Sequence, residues 1–216
     1  MIKSIPSIIF LSVSLPLLLS YIFKKKYKKM INPQVIREEK YYHQVIFVNM
    51  ENFQCRQHLL DKKECGEKCS YAYQKTLQNF IRSAQISICM SVYMLTLKHL
   101  NYELIQAHNR GVIVRVITDR VMLQVDPSQI NFSRLKRSCV PFKVQPTNNH
   151  GMMHHKFCLI DKENPKCAKM FFGSLNLTSQ GLVSNFESVI LTNNLNIINR
   201  YCEEFEEMWS TFEETH

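Results

Sequence analysis

From residue 44 onward, the hydrophobic positions switch between short continuous apolar runs and stretches in which they recur every three or four residues. The first pattern suits buried strands, the second helices with one apolar face. Gln44–Asn49 (QVIFVN) predicts a strand, and Tyr73, Leu77, Phe80 and Ile81 share one face of a helix over residues 70–84. Ile86–Ser91 (ISICMS) predicts a second strand, residues 97–109 a helix, and Val112–Thr118 (VIVRVIT), opened by Gly111, a third strand. Residues 127–138 read as a helix after Asp126-Pro127, since proline is tolerated in a first helical turn. Further strands are predicted at Phe142–Gln145, His155–Ile160, Lys169–Phe172 and Glu187–Leu191. Residues 194–214 predict a closing helix whose Ile198, Cys202, Phe205, Trp209 and Phe212 form an apolar stripe. The opening βαβαβα order argues for an α/β sandwich built on a substantial sheet.

The N-terminus is different. Residues 5–23 (IPSIIFLSVSLPLLLSYIF) are uncharged, about the length a helix needs to cross a hydrocarbon core. Lys24, Lys25, Lys26, Lys28 and Lys29 follow, which predicts a single-pass anchor with its C-terminal side in the cytosol. A cleaved secretory signal is the competing reading, opposed by an n-region holding only Lys3 and by the lack of a small-x-small cleavage site. The expected organisation is an anchor and basic flank over residues 1–30, a linker over 31–43 and a catalytic domain over 44–216.

At 216 residues with 45% apolar composition, the chain can bury one sizeable core, and five Gly and seven Pro exclude a low-complexity chain. The net charge of +9 is uneven: residues 193–216 carry six Glu and one Arg, and residues 31–192 carry +8. A basic centre suits a polyanion, either nucleic acid or an anionic headgroup. Eight Cys, with three bunched at 55, 65 and 69, point to a reducing compartment and a local metal site rather than a disulfide scaffold.

The chemistry concentrates in His154-His155-Lys156-Phe157-Cys158-Leu159-Ile160-Asp161, then Gly173-Ser174-Leu175-Asn176 and Asn185-Phe186-Glu187. On a strand, His154 and Lys156 leave the same face and can reach one phosphate. An imidazole can attack phosphorus while an ammonium neutralises the non-bridging oxygens. Asn176 can donate to the same oxygens, and Glu187 can hold the far nitrogen of His154 and fix its tautomer. Asp161 either touches substrate or braces the turn after the strand.

Read as H-x-K-x4-D followed by G-S-x-N, this run resembles the phospholipase D superfamily. The gap between Asp161 and Gly173 is longer than usual there and reads as a lengthened hairpin turn. The resemblance implies a mixed sheet flanked by helices, and a catalytic set of His154, Lys156, Asp161, Ser174, Asn176 and Glu187 working without a catalytic metal. It also implies two histidines per reaction. With one motif in the chain, a homodimer would set two copies of His154 across a shared groove.

Cys55, His58, Cys65 and Cys69 offer C-x2-H and C-x3-C spacings that can close a structural Zn²⁺ site within an insertion of about residues 53–70. Free surface thiols are the alternative. An anchor, such an insertion, MHHKF at Met153–Phe157 and FGSLN at Phe172–Asn176 together resemble the Zucchini, or mitochondrial phospholipase D, group. That resemblance implies a mitochondrial outer-membrane endoribonuclease cutting single-stranded piRNA precursors, or a hydrolase converting cardiolipin to phosphatidic acid. Arg115, Arg120, Lys136, Arg137, Lys143 and Lys169 flank the motif as candidates for a groove that would hold RNA through its backbone. A non-catalytic scaffold at the organelle surface is the third class.

Overall fold

The computed structural model describes residues 19–25, 42–148 and 151–215. The chain divides into two compact units, Met1–Tyr41 and Tyr42–His216. In the first, residues 19–25 are helical and exposed. Most of the predicted anchor, residues 5–18, and the linker up to residue 41 lie outside the described residues. Among those described, no helix is long and apolar enough to cross a membrane.

The second unit carries β1 (His43–Val48), α1 (Arg56–Asp61), α2 (Ser70–Arg82), β2 (Ser87–Val92), α3 (Lys98–Asn109), β3 (Ile113–Thr118), α4 (Asp126–Arg137) and β4 (Phe142–Val144). After these come β5 (Lys156–Ile160), β6 (Lys169–Gly173), α5 (Ser179–Val183), β7 (Glu187–Thr192), α6 (Leu195–Thr211) and β8 (Glu213–Glu214). They form one eight-stranded sheet in the order β1-β7-β6-β5-β2-β3-β4-β8. β2, β3 and β4 run parallel, and the remaining pairs are antiparallel, so the sheet is mixed.

The sheet is buried on both faces at its centre, which is why β2 and β5 read as continuous apolar runs rather than alternating ones. Cys158 and Ile160 face a core with Leu77, Ile81, Leu100 and Leu104 of α2 and α3. Phe157 and Leu159 face Ile198, Phe205 and Met208 of α6. Each fully buried large side chain contributes roughly 1.5–3 kcal/mol of transfer free energy. α4 begins with Asp126 and Pro127 and ends with Arg134, Lys136 and Arg137, a charge order that matches the helix dipole.

Two local differences from the sequence reading have physical causes. α6 stops at Thr211, and Glu213–Glu214 pair with β4, placing Glu214 opposite Lys143. The parallel edge strand β4 would otherwise leave its ladder groups open, and the opposite charges favour the pairing. α5 has no long apolar period to signal it; Thr178 caps it by accepting from the Gly181 N–H at 2.9 Å.

Asp161, at the far end of β5, turns the hairpin with φ +52°. Its buried carboxylate accepts from the backbone N–H groups of Gln85 (3.0 Å), Ile86 (2.7 Å) and Ser87 (3.1 Å), tying β5 to the start of β2. Asp161→Ala strands three amides; the expected loss is about 3 kcal/mol, which thermal unfolding reads as a fall of about 10 °C.

Candidate active site at the N-terminal end of strand β5

The parallel strands β2 and β3 end beside the start of β5, with Val92 opposite both Lys156 and Thr118. Open α/β sheets gather ligands at such strand ends. His154 stands just before β5, and the chain is pinned on both sides of it. The Met153 N–H donates to Asp119 at 3.2 Å, and the Tyr93 N–H donates to the His155 carbonyl at 3.0 Å. His155 turns the other way, its Nε2 3.2 Å from Glu204 on α6, as the strand alternation predicts.

Lys156 is only 8% exposed, yet among the described residues no carboxylate comes within ion-pair distance of it. Its Nζ donates to the His154 carbonyl at 2.6 Å and lies 5.1 Å from the centre of the Tyr93 ring. Burial holds this ammonium below the usual lysine range, opposed by the nearby charge of Glu187. Burial, then the Lys156 charge, likewise holds the His154 imidazole below 6.5, against the pull of Asp119. That direction favours the uncharged ring, the state a nucleophile needs.

Gly173 ends β6 in close contact with β7: a Cβ there would lie 2.0 Å from the Ser188 carbonyl oxygen. This approach lets Ser174 donate to Glu187 at 2.5 Å and accept from the Ser188 N–H at 3.0 Å. Gly173→Ala forces the strands apart; expected are a stability loss of about 2–3 kcal/mol and, from displacement of residues 174–176, a fall in activity on the order of 10²-fold. Denaturant melts and initial rates on the same preparation check both. Asn176 carries a buried side-chain oxygen without a partner among the described residues, so its amide group is not committed to the fold.

The structure corrects several sequence expectations. Within the chain Glu187 accepts from Ser174 Oγ and from Asn185 Nδ2 (2.9 Å), and no hydrogen bond joins it to the His154 ring of the same chain. Asp161 lies seven residues along the strand from His154, roughly 23 Å, and serves the hairpin rather than substrate. The basic candidates do not converge. Arg115 is held by Glu206 at 2.5 Å and packs over Phe205 and Trp209. Lys143 donates to the Trp209 carbonyl at 2.7 Å, and Lys169 lies over Phe80 at the Ile160 end of the sheet. Arg120 is at the site's end of the sheet but is bound by the Gln145 carbonyl and Glu213. Lys136 and Arg137 close α4 without an ion-pair partner among the described residues. A long-range partner captures each of the first four, and composition carries no signal of it.

Asp119 escaped the sequence reading. Buried at the end of β3, it accepts from Val121, Met122 and Met153 N–H groups and from Gln145 Nε2, so it fixes the segment leading into His154. Its only sequence signal is its place at the end of a predicted strand. A cleft of about 440 Å³ opens beside His154, lined by Met152, Met153, Met208 and Phe212 together with Gln145 and Glu204.

Away from the sheet end, Cys55, His58, Cys65 and Cys69 bring four donor atoms within 4.8 Å of one another. The Cys55 and Cys65 sulfurs are 3.8 Å apart, and the Cys69 sulfur is 3.6 Å from His58 Nδ1. The edges of a tetrahedron with Zn–S of about 2.3 Å and Zn–N of about 2.0 Å are about 3.8 and 3.5 Å, so the donor set fits the ion.

A mixed eight-stranded sheet with an imidazole and a buried ammonium together at one end defines an α/β protein with a candidate anion site. Residues 77–209 match the family described as cardiolipin synthase, PLD-like domain, and the chain belongs to the phospholipase D superfamily, in its mitochondrial group. It is 30% identical to the human mitochondrial cardiolipin hydrolase over 151 residues, covering 70% of this chain and 56% of that protein. The Drosophila melanogaster protein of the same name is 33% identical over 166 residues, covering 70% and 64%. The chain thus spans somewhat under two thirds of these relatives' length. Its fold is that of the phospholipase D family member Nuc from Salmonella typhimurium, with TM-score 0.63 and 20% identity over 82% of this chain and 99% of Nuc. NucT from Helicobacter pylori superposes with TM-score 0.58 at 18% identity, over 81% and 99%.

Proposed function

We propose that the protein is a phosphodiester hydrolase acting as a homodimer, with His154 of each copy at one shared phosphorus and no catalytic metal. The observation that carries this is the buried Lys156 ammonium, with no carboxylate in ion-pair contact among the described residues, beside the His154 imidazole. A phosphate supplies the missing anion. The uncharged His154 attacks phosphorus, the P–O bond to the leaving group breaks, and His154 of the partner subunit, in its protonated imidazolium form, gives its proton to the departing oxygen. That second imidazole then takes a proton from water, the hydroxide attacks phosphorus, and the N–P bond breaks to leave a phosphate monoester. Lys156 and the Asn176 amide steady the non-bridging oxygens. Cys55, His58, Cys65 and Cys69 would hold a structural Zn²⁺, whose contribution is to tie the residues before α2 together.

The substrate of this reading is single-stranded RNA, cut during piRNA precursor processing at the mitochondrial outer membrane, with residues 5–23 as the anchor. The +8 charge of residues 31–192 and the unpaired Lys136 and Arg137 support it. A second reading, hydrolysis of cardiolipin to phosphatidic acid, is favoured by the Met-lined cleft beside His154, which suits an acyl chain, and by the names of the relatives. The test offers the full chain single-stranded RNA and cardiolipin vesicles in parallel, with EDTA present. Fragments bearing 5′-phosphates and no phosphatidic acid are expected. Phosphatidic acid alone transfers the assignment to the lipid, and the absence of both products overturns the hydrolase reading in favour of a scaffold.

A further inference from the structure

Tyr93 belongs to none of the motifs, yet it touches both reactive groups. It follows β2 where the chain bends out of the sheet. Its ring centroid lies 4.6 Å from that of His154, with the planes at 61°, and 5.1 Å from Lys156 Nζ. We propose that Tyr93 is a positioning residue, resting on the hydrolase reading above, that holds the nucleophilic imidazole and the phosphate-binding ammonium as one pair.

The argument turns on what an aromatic ring does that a carboxylate would not. A buried ammonium needs compensation. A carboxylate in contact with Lys156 would supply it, but would cancel the charge that substrate must meet. The face of an aromatic ring attracts the cation through its quadrupole while carrying no net charge. One of the three ammonium hydrogens is used on the His154 carbonyl at 2.6 Å, which leaves donors for a phosphoryl oxygen. The same ring packs against the His154 imidazole and so holds it beside the ammonium. The Tyr93 N–H bond to the His155 carbonyl anchors the ring to the segment it orients.

The test compares Tyr93→Phe, Tyr93→Leu and a trifluorinated phenylalanine at position 93, whose shape is nearly unchanged but whose ring face is depleted of charge. Tyr93→Phe is expected to stay within about threefold of wild-type kcat, because the face and packing remain. Tyr93→Leu is expected to lose about 10- to 100-fold in kcat with a smaller change in KM. The fluorinated ring should fall between Phe and Leu, which a purely structural role would not produce. Equal kcat for Phe and fluorinated Phe overturns the proposal. A wild type without turnover defeats the hydrolase reading instead. NMR titration of Lys156 in the Phe and fluorinated variants then decides the role of Tyr93 separately, the fluorinated variant titrating lower if the proposal holds.

Discussion

His154→Asn is expected to lower turnover at least about 10⁴-fold, because it removes the nucleophile and the general acid together. Asn keeps much of the shape at a position already exposed, and the pins on either side, from Met153 to Asp119 and from Tyr93 to His155, are backbone bonds. The melting temperature should therefore stay near that of wild type. A sharper form uses subunit mixing. If one phosphorus needs an imidazole from each chain, refolding wild-type and His154→Asn subunits in equal amounts leaves about one quarter of the dimers fully active, by random pairing within a twofold assembly. Independent sites would retain about one half of the activity. A titration of mutant into wild type separates the curve that is quadratic in wild-type fraction from the straight line, and a straight line would falsify the shared centre.

Disrupting the cysteine module is the second large effect. Purified full chain is expected to contain one zinc per chain by atomic emission, and Cys69→Ser to contain none. Cys69 and Cys55 are buried, and the module they close is tied to the rest of the unit by specific bonds. Asn52 Nδ2 donates to Ser70 Oγ at 3.2 Å, Ser70 Oγ to the Leu182 carbonyl at 2.6 Å, and Arg56 to Ser184 Oγ at 3.3 Å. Loss of the ion frees residues 50–69 and loosens the packing on α5. An effect of about 3–5 kcal/mol is expected, well below the apparent binding energy of zinc in small fingers, because the sheet core remains. The melting temperature should then fall by about 10 °C or more. α5 leads directly into Asn185 and Glu187, so activity should fall with zinc content although no zinc ligand lies in the catalytic set. Stoichiometric zinc retained in Cys69→Ser, with unchanged melting, would contradict the fit of the donor set.

These outcomes separate what is local in the chain from what is not. The strands, the main helices and the pairing of His154 with Lys156 on one face follow from periods of two and of three to four residues, and these need only near neighbours. Gly173 was readable as a motif glycine, but the reason for it, a Cβ that would strike Ser188, exists only once β6 and β7 lie side by side. Cys55, His58, Cys65 and Cys69 fall within fifteen residues, so their convergence was legible from spacing as well.

Charge was the least legible property. Whether an arginine or lysine faces substrate or a partner depends on side chains tens of residues away, as when Arg115 is taken by Glu206 and Lys143 by the Trp209 carbonyl. Asp119 and Tyr93 were invisible for the same reason. Each acts on the segment around His154 from more than thirty residues upstream, through contacts that exist only when β2, β3 and β5 share an end of the sheet. The sequence by itself determined the reactive groups and the strand that presents them, because covalent spacing sets those. The tertiary structure decided which charges stay free, which ring faces the ammonium and which carboxylate only braces a turn, because burial and long-range contact set the electrostatics of a site.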